Sequence, residues 1–345
     1  MLINSFNHFR AIAIIIIIAG HSFGVNGIEF HSVFSITIKN LIVGGTSLFV
    51  FISGFLFHHV FYKTYNYKTF MIKKGKNVLI PYLILGFLPV LIYVTKGACN
   101  VDDCNLSLAG LIPEYLIPAL KYYAFGKFLT AYWYIPFVMV TFALSPIHIT
   151  YINLRLKHQF LIILIFSFVS ILIHRPVSNI NIAHSVVYFT PIYLIGITAS
   201  IQKESTYTYL KGKEIYLILA VILLATYQAT IGVGGNYHKL AFSYGGIDLM
   251  FLQKVLLCFF LMAWLKKMEH INNRIIQALA STSFTAFFIH PFIILFIRKL
   301  EFGFMANGSW TIYVIFVGAT SMLCVLIANT AKKIAPKYSR FIIGY

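Results

Sequence analysis

Long apolar runs alternate with short polar breaks from one end of the chain to the other. Each run has about 17–25 residues, which is the length that an α-helix needs to cross the hydrocarbon core of a bilayer. The pattern therefore predicts an all-α, polytopic membrane protein with a single transmembrane domain over residues 1–345. Ten spans are predicted, at 9–26, 38–58, 78–96, 131–150, 159–174, 184–201, 215–232, 249–265, 283–299 and 310–330.

Composition supports a membrane environment for the whole chain. Hydrophobic residues make up 59% of the sequence and charged residues 10%, whereas about 25% of the residues in a soluble domain are charged. When the N-terminus is placed inside the cell, 18 of the 27 Lys and Arg residues fall in cytoplasmic segments, as the positive-inside rule requires. Both termini are therefore predicted to be cytoplasmic.

The net charge of +18 bears on the choice of partners. Membrane orientation and attraction to anionic lipid headgroups account for this excess of basic residues. No soluble basic face is left to follow a phosphate backbone, so membrane lipids are expected as partners and nucleic acid is not. The predicted location is a bacterial-type cytoplasmic (inner) membrane.

The four cysteines fall into two pairs. Cys258 and Cys324 lie in predicted spans, whereas Cys99 and Cys104 lie five positions apart in the loop 97–130. This loop is predicted on the oxidising side, where two thiols are able to form a small disulfide loop, and the sequence leaves open whether they do. Because no His accompanies the two loop cysteines, no metal site is expected.

Two predicted outer segments are candidates for contact with a ligand. The loop 97–130 holds an apolar stretch that is too interrupted to span, and a re-entrant or interfacial piece over an outward cavity fits it as well as a plain connector does. The segment 232–246 is rich in Gly, Tyr and polar donors. This composition suits sugar binding, and an interfacial aromatic belt is the alternative.

His21 and His290 lie well inside predicted spans, where a polar group is costly and a functional role is the first hypothesis. Arg10 precedes His21 by eleven residues, which on one helix corresponds to about 16 Å along the axis and to nearly the same face. Both side chains are thus predicted on the wall of one cavity. A neutral imidazole is suited to accept a proton from a hydroxyl that attacks a thioester, so His21 is predicted to be a general base. Arg10 is a second catalytic candidate or an anchor of the first span.

Substrate-binding candidates come from polar and aromatic positions in the spans. His290 stands directly before Pro291, which frees a helix carbonyl for a polar partner, and a structural role is the alternative. Ser53 lies among small residues that favour close helix packing and is able to hydrogen-bond a neighbouring helix or a ligand. Trp133 and Tyr134 fit a sugar platform and the interfacial belt equally.

A cationic cluster follows the second span and consists of Lys73, Lys74 and Lys76. Several ammonium groups at the mouth of a cavity match the phosphates of a cytoplasmic acyl donor such as coenzyme A. The alternative is that these lysines set the topology and do nothing more.

The order of these features resembles the acyltransferase-3 family, whose members acylate extracytoplasmic carbohydrates. The features shared with the family are Arg10 and His21 on the first span, Phe51-Ile-Ser-Gly-Phe-Leu56 on the second, a basic run before Ile80-Pro-Tyr82, Trp133-Tyr134, and Phe288-Ile-His290-Pro291. Two further segments are similar to the branch that includes the intercellular-adhesin polysaccharide (poly-N-acetylglucosamine) protein, namely Arg340-Phe-Ile-Ile-Gly344 and Phe242-Ser-Tyr244.

The resemblance implies that His21 and Arg10 are essential and that the donor is cytoplasmic acyl-coenzyme A. Acyl-coenzyme A is therefore the expected co-substrate, with acetyl-coenzyme A favoured. The family usually carries Arg-x-x-Arg in the inner loop, where this chain has Lys73-x-x-Lys76. Lysine keeps the positive charge of arginine and lacks its bidentate fork.

The expected activity is transfer of an acetyl or succinyl group to a hydroxyl of an extracytoplasmic or lipid-linked polysaccharide. An exporter of polysaccharide or lipid-linked sugar without acyl chemistry is the alternative. An exporter needs a continuous polar path, and the spans hold few ionisable groups besides His21 and His290. The sequence leaves open the acceptor sugar, the acyl group, a covalent intermediate, and whether the partner is a second copy of the chain or a biosynthetic complex.

Overall fold

The computed structural model describes residues 3–98, 111–179, 181–243, 245–303, 305 and 307–345, and this part of the chain is a bundle of helices. The predicted cysteine pair Cys99 and Cys104 lies outside the described residues. The α-helices are α1 Asn4–Ser22, α2 Val33–Ile42, α3 Thr46–Leu56, α4 Tyr67–Lys74, α5 Ile80–Ala98, α6 Ile117–Phe125, α7 Tyr134–Ala143, α8 Ser145–Ile152, α9 Leu156–Ile173, α10 Ile182–Ile201, α11 Lys203–Leu210, α12 Glu214–Thr230, α13 Leu249–Lys266, α14 Arg274–Lys299, α15 Trp310–Ile334 and α16 Ser339–Ile343.

Shorter elements join these helices within the described residues. π-Helical turns occur at Phe57–Phe61, Gly75–Leu79 and Leu111–Leu116, and 3₁₀ turns at Tyr62–Thr64 and Val177–Asn179. Two strands of two residues each, β1 Arg175–Pro176 and β2 His238–Lys239, pair in parallel. This pairing ties together two loops that the sequence predicts on the same side of the membrane.

The predicted all-α membrane architecture is confirmed. In the described part of the chain, eight helical stretches are long and apolar enough to cross a membrane. A ninth results if α7 and α8, which meet at an angle of 55°, form one broken span. Helix α12 is apolar as well but has 17 residues and is shorter than the others. An apolar helix therefore stands at each of the ten predicted positions, while eight or nine of them reach the length of a full span.

The second predicted span is interrupted between α2 and α3, where Gly44 has a left-handed backbone (φ +87°). Lys254, from the middle of α13, fills the space beside this glycine and is 1% exposed. Its Nζ donates to the carbonyls of Asn40 and Leu41, both at 2.9 Å. The buried ammonium group thus caps the C-terminal carbonyls of α2. This lysine inside a span has a structural contact that the sequence pattern did not indicate.

Helices α3 and α10 cross at two glycines. A Cβ atom on Gly54 would lie 2.0 Å from the carbonyl oxygen of Tyr193, and a Cβ atom on Gly196 would lie 2.2 Å from that of Phe51. Both clashes are with backbone, which side-chain rearrangement does not relieve. The small residues predicted to allow close helix approach therefore do so at Gly54, directly after Ser53.

Gly196→Ala is expected to destabilise the protein because α3 and α10 must move apart to accept one methyl group. Overpacking of this kind costs about 1–3 kcal/mol, which a thermal melt of the purified protein in detergent measures. The matched control is Gly318→Ala in α15, where an added Cβ meets nothing within 4 Å. A Gly196→Ala variant that melts with the wild-type protein would contradict the close helix contact.

Helix α1 carries both Arg10 and His21, and its N-terminus is fixed by the loop after α13. The backbone N–H groups of Asn4 and Ser5 donate to the Glu269 carboxylate at 2.6 and 3.3 Å. Partial burial disfavours the charged form of Glu269, but hydrogen bonds from Ser5 and Asn4 outweigh it and lower the pKa of this carboxyl. An anion at a helix N-terminus also interacts favourably with the helix dipole, so α1 starts from a defined position.

Candidate active site

Helix α1 packs along α14, and two of the side-chain contacts that join them involve the candidate site residues. Arg10 Nη2 donates to Ser283 Oγ at 3.1 Å. Further along both helices, His21 Nδ1 lies 2.9 Å from His290 Nε2, with the two rings nearly parallel. Because both contacts advance in the same direction along each helix, α1 and α14 run parallel. The two histidines that the sequence places inside separate spans therefore form one hydrogen-bonded pair.

The partner of His290 determines which nitrogen of His21 carries a proton. His290 Nδ1 lies 2.8 Å from the carbonyl oxygen of Ala286, and because a carbonyl can only accept, Nδ1–H is the donor. In a neutral imidazole the other nitrogen, Nε2, is then an acceptor, so His21 donates to it through Nδ1–H. His21 Nε2 is left with a free lone pair. His21 is thus able to accept a proton at Nε2 while its Nδ1–H is held by His290.

His21 lines a cavity of about 360 Å³, here called the His21 cavity. Its walls come from the ends of α1 and α3, from residues 126–134, from the 3₁₀ turn after β1 and from the loop before β2. Residues 126–130, at the end of the loop 97–130, line this cavity, whereas no described residue of the loop's apolar stretch does. The lining residues are Ile17, His21, Thr46, Tyr93, Gly126, Lys127, Phe128, Leu129, Thr130, Ala131, Trp133, Tyr134, Arg175, Ser178, Asn179, Asn236 and Phe287.

A larger cavity of about 910 Å³, here called the Arg10 cavity, opens toward the other end of the bundle. It has an apolar wall and a cationic mouth, and no acidic side chain is found among its described lining residues. Two π-helical turns, Phe57–Phe61 and Gly75–Leu79, contribute to it, and such turns are frequent at functional sites. Its polar and charged lining residues are Arg10, Ser53, Lys73, Lys74, Asn77, Ser281, Ser283, Lys332, Ser339 and Arg340.

The structure separates the three lysines of the predicted donor site. Lys73 and Lys74 line the Arg10 cavity, whereas Lys76 is exposed and does not line it. The reason is that α4 continues through the π-helical turn into α5, and positions 73, 74, 77 and 78 share one helical face while position 76 does not. Lys74 also lies over the rings of three phenylalanines, the nearest at 4.2 Å, which holds its ammonium group in place.

Tyr134 and Phe287 belong to the walls of both cavities. Their ring centroids are 5.4 Å apart, and the Tyr134 hydroxyl shares a hydrogen bond with Ser53. Arg10 and His21 are predicted on the wall of one cavity, but the structure divides this space in two. The difference arises because aromatic side chains from α7 and α14 fill the middle of the bundle. Ser53 lies on the Arg10 side, and Trp133 on the His21 side.

Four cations at these cavities were not among the site residues predicted from the sequence. Arg175 and Lys127 line the His21 cavity, and Lys332 and Arg340 line the Arg10 cavity. Arg175 carried a usable signal, because an arginine in a short outer loop runs against the positive-inside rule. Lys332 and Arg340 carried none, because basic residues after the last span are what topology alone requires.

Comparison with known proteins adds one finding. A family model described as an acyltransferase domain matches residues 3–329. The chain belongs to the acyltransferase-3 family. No curated protein and no solved structure matches the chain.

As a member of this family, the protein is an acyltransferase held in a membrane by several apolar helices. The family resemblance stated from Arg10, His21, Trp133 and His290 is thereby confirmed. The similarity to the intercellular-adhesin branch stays a prediction, and so do the roles of the individual site residues in this acyltransferase-3 protein.

Proposed function

We propose that the protein transfers an acyl group, most simply acetyl, from acyl-coenzyme A in the Arg10 cavity to a hydroxyl of an extracytoplasmic or lipid-linked polysaccharide in the His21 cavity. The observation that carries this proposal is the pair of cavities with different chemistry, which meet at Tyr134 and Phe287. The membrane is of the bacterial cytoplasmic type, with the Arg10 cavity facing the cytoplasm.

The Arg10 cavity suits a donor with a polyanionic head and a long uncharged arm. Lys73, Lys332 and Arg340 stand at its mouth, where ammonium and guanidinium groups bind phosphates well. Arg340 also supplies the bidentate fork that Lys73-x-x-Lys76 lacks. Deeper in, phenylalanines surround a path that leads to Tyr134 and Phe287, which suits a pantetheine arm.

The His21 cavity suits an acceptor with hydroxyl groups. Trp133 and Tyr134 offer aromatic faces, and Asn179 and Asn236 offer amide groups, a combination that binds sugars. His21 Nε2 is the base within this cavity. Residues for proton transfer and residues for sugar contact thus line the same space.

Direct transfer requires one proton acceptor and one movement of the aromatic partition. The acceptor hydroxyl attacks the thioester carbonyl carbon while His21 Nε2 takes its proton, and the hydrogen bond to His290 stabilises the imidazolium. The carbon–sulfur bond breaks, the new carbon–oxygen ester bond remains, and His21 returns the proton to the leaving coenzyme A thiolate. Side-chain rotation of Tyr134 or Phe287 opens the path for the thioester.

An exporter without acyl chemistry needs a path wide enough for a sugar chain. The aromatic rings of Tyr134 and Phe287 lie between the two cavities, and a path that a slender pantetheine arm can follow is narrower than a glycan requires. This difference in width favours the transferase over the exporter.

Proteoliposomes test the proposal directly. With acetyl-coenzyme A sealed on the side of the Arg10 cavity and polysaccharide from producing cells on the other side, mass spectrometry should show a mass increase of one acetyl group per modified hydroxyl. Transfer that occurs only when both substrates share one side would contradict the two-sided geometry. Movement of unmodified glycan across the bilayer would identify an exporter instead.

A further inference from the structure

Arg175 is a buried guanidinium beside the candidate base. It is 5% exposed and lines the His21 cavity. Its Cζ atom lies over the rings of Trp133 and Phe189, at 5.0 and 5.4 Å from their centroids, and its Nε donates to Asn179 Oδ1 at 2.6 Å. Its Nη2 also donates to Thr46 Oγ1 at 3.5 Å. The side-chain contacts of the guanidinium in the described part of the chain are thus with aromatic rings and neutral oxygen atoms.

No carboxylate forms an ion pair with Arg175 among the described residues. The neighbouring acid, Asp248, accepts hydrogen bonds from Tyr188 at 2.8 Å and from the backbone of Phe251 at 3.0 Å. Burial lowers the pKa of Arg175 to about 10, although Tyr188 and Asp248 oppose this shift. The guanidinium therefore stays positively charged at neutral pH, and a buried charge without an ion pair is costly unless a ligand compensates it.

The backbone around Arg175 is strained and tightly bonded. His174, Ser178 and Asn179 have positive φ angles of 58°, 53° and 57°, which for residues other than glycine cost free energy and concentrate at functional sites. Arg175 N–H donates to the carbonyl of Tyr237 at 3.0 Å. His184 Nε2 lies 2.9 Å from the His174 carbonyl, which holds the loop from the other side. The loop therefore fixes the position of the guanidinium before any ligand arrives.

The His21 cavity carries positive charge and no negative charge. Lys127 is exposed at its edge and Arg175 is buried in its wall, and no Asp or Glu occurs among the described lining residues. Two cations at different depths attract an anion toward the wall that holds Arg175. A neutral sugar would leave this charge uncompensated.

We infer that the His21 cavity contains a subsite for an anionic group of the acceptor, a carboxylate or a phosphate, which Arg175 binds through its guanidinium. This inference rests on the proposed function, because it takes this cavity as the acceptor site. The acceptor is then an acidic glycan or a glycosyl phosphate. Glycans whose only charge is a free amine are excluded, because the ammonium group would face Arg175 and Lys127.

Binding of three matched disaccharides to the full chain in nanodiscs, without any acyl donor, tests the subsite. Cellobiose is the neutral probe, cellobiouronic acid replaces one hydroxymethyl group by a carboxylate, and cellobiose 1-phosphate adds a phosphate. Isothermal titration calorimetry should show at least one anionic probe binding about tenfold more tightly than cellobiose. The anionic probe that binds more tightly shows whether the acceptor group is a carboxylate or a phosphate. Added salt should reduce the difference in affinity between this probe and cellobiose.

Substitutions of Arg175 test whether this residue causes the preference for the anionic probes. Arg175→Gln should remove it, and Arg175→Lys should keep part of it because the charge remains. Arg298→Gln is the matched control, since this arginine lies at the end of α14 and lines neither cavity. Equal or undetectable binding of the three probes to the wild-type chain overturns the inference, and so does an unchanged preference in Arg175→Gln or its complete loss in a folded Arg175→Lys.

The result of this binding test can be distinguished from the result of the test of the proposed function. A protein that prefers the anionic probes and transfers no acyl group contradicts the proposed reaction and supports the subsite. A protein that transfers acyl groups and binds the three probes equally contradicts the subsite alone.

Discussion

His21→Ala is expected to lower acyl transfer by about 10²–10⁴-fold, which is the usual contribution of a general base. The variant should still insert and fold, because the His21 side chain faces a cavity and the helix contact that it loses is its hydrogen bond to His290. Transfer is measured as acylated glycan by mass spectrometry, and folding by a thermal melt of the same preparation. His31→Ala is the control, since His31 is exposed and lines neither cavity. Wild-type transfer by a folded His21→Ala variant would refute the assignment.

Substitution of His290 provides a second test of the role of His21, because the proposed role of His290 is to orient His21 and not to touch the acceptor. His290→Phe removes the acceptor at Nε2, so the Nδ1–H of His21 loses its partner and both tautomers of His21 become available. The rate should fall less than in His21→Ala, and the pH profile of kcat should change while KM for the acceptor stays close to the wild-type value. A His290→Phe variant with a normal pH profile would make this residue structural.

The positions of the spans could be predicted because hydropathy and helix length depend on local sequence alone. The positions at which these spans are interrupted could not be predicted in this way. The break at Gly44 is stabilised by Lys254, which lies 210 residues further along the chain, and no local pattern indicates such a partner. The long helical stretch from Tyr67 to Lys96 also begins well before the predicted span at 78, because polar residues such as Lys73 and Lys74 continue the helix outside the apolar run.

The candidate site, like the fold, could be predicted only in part from the sequence. The cost of a polar group in a membrane pointed to His21 and His290 separately, whereas their hydrogen bond depends on how α1 packs against α14. The face shared by Arg10 and His21 follows from helix geometry, but the partition between them depends on Tyr134 and Phe287, whose rings meet across the bundle. Arg175 became a candidate only when strand pairing between two loops brought it to the cavity.

The donor site offers a matched control within one cluster, because Lys73 lines the Arg10 cavity and Lys76 does not. Lys73→Gln and Arg340→Gln should each weaken acyl-coenzyme A binding by about tenfold, the usual effect of losing a charge-assisted contact to phosphate. Lys76→Gln should leave binding unchanged, since Lys76 and Lys73 are both exposed but only Lys73 lines the Arg10 cavity. Lys74 is a poorer choice because its contacts with three phenylalanine rings also support the fold.

Equilibrium dialysis with labelled acetyl-coenzyme A measures these dissociation constants, and binding of the acceptor glycan to the same variants should not change. The salt dependence of donor binding should also become weaker in Lys73→Gln and Arg340→Gln, because each loses one screened charge contact. If Lys76→Gln weakens donor binding as much as Lys73→Gln does, general surface charge explains the effect. If none of the three substitutions, at Lys73, Lys76 and Arg340, weakens donor binding, these residues set the membrane topology and the phosphates bind elsewhere.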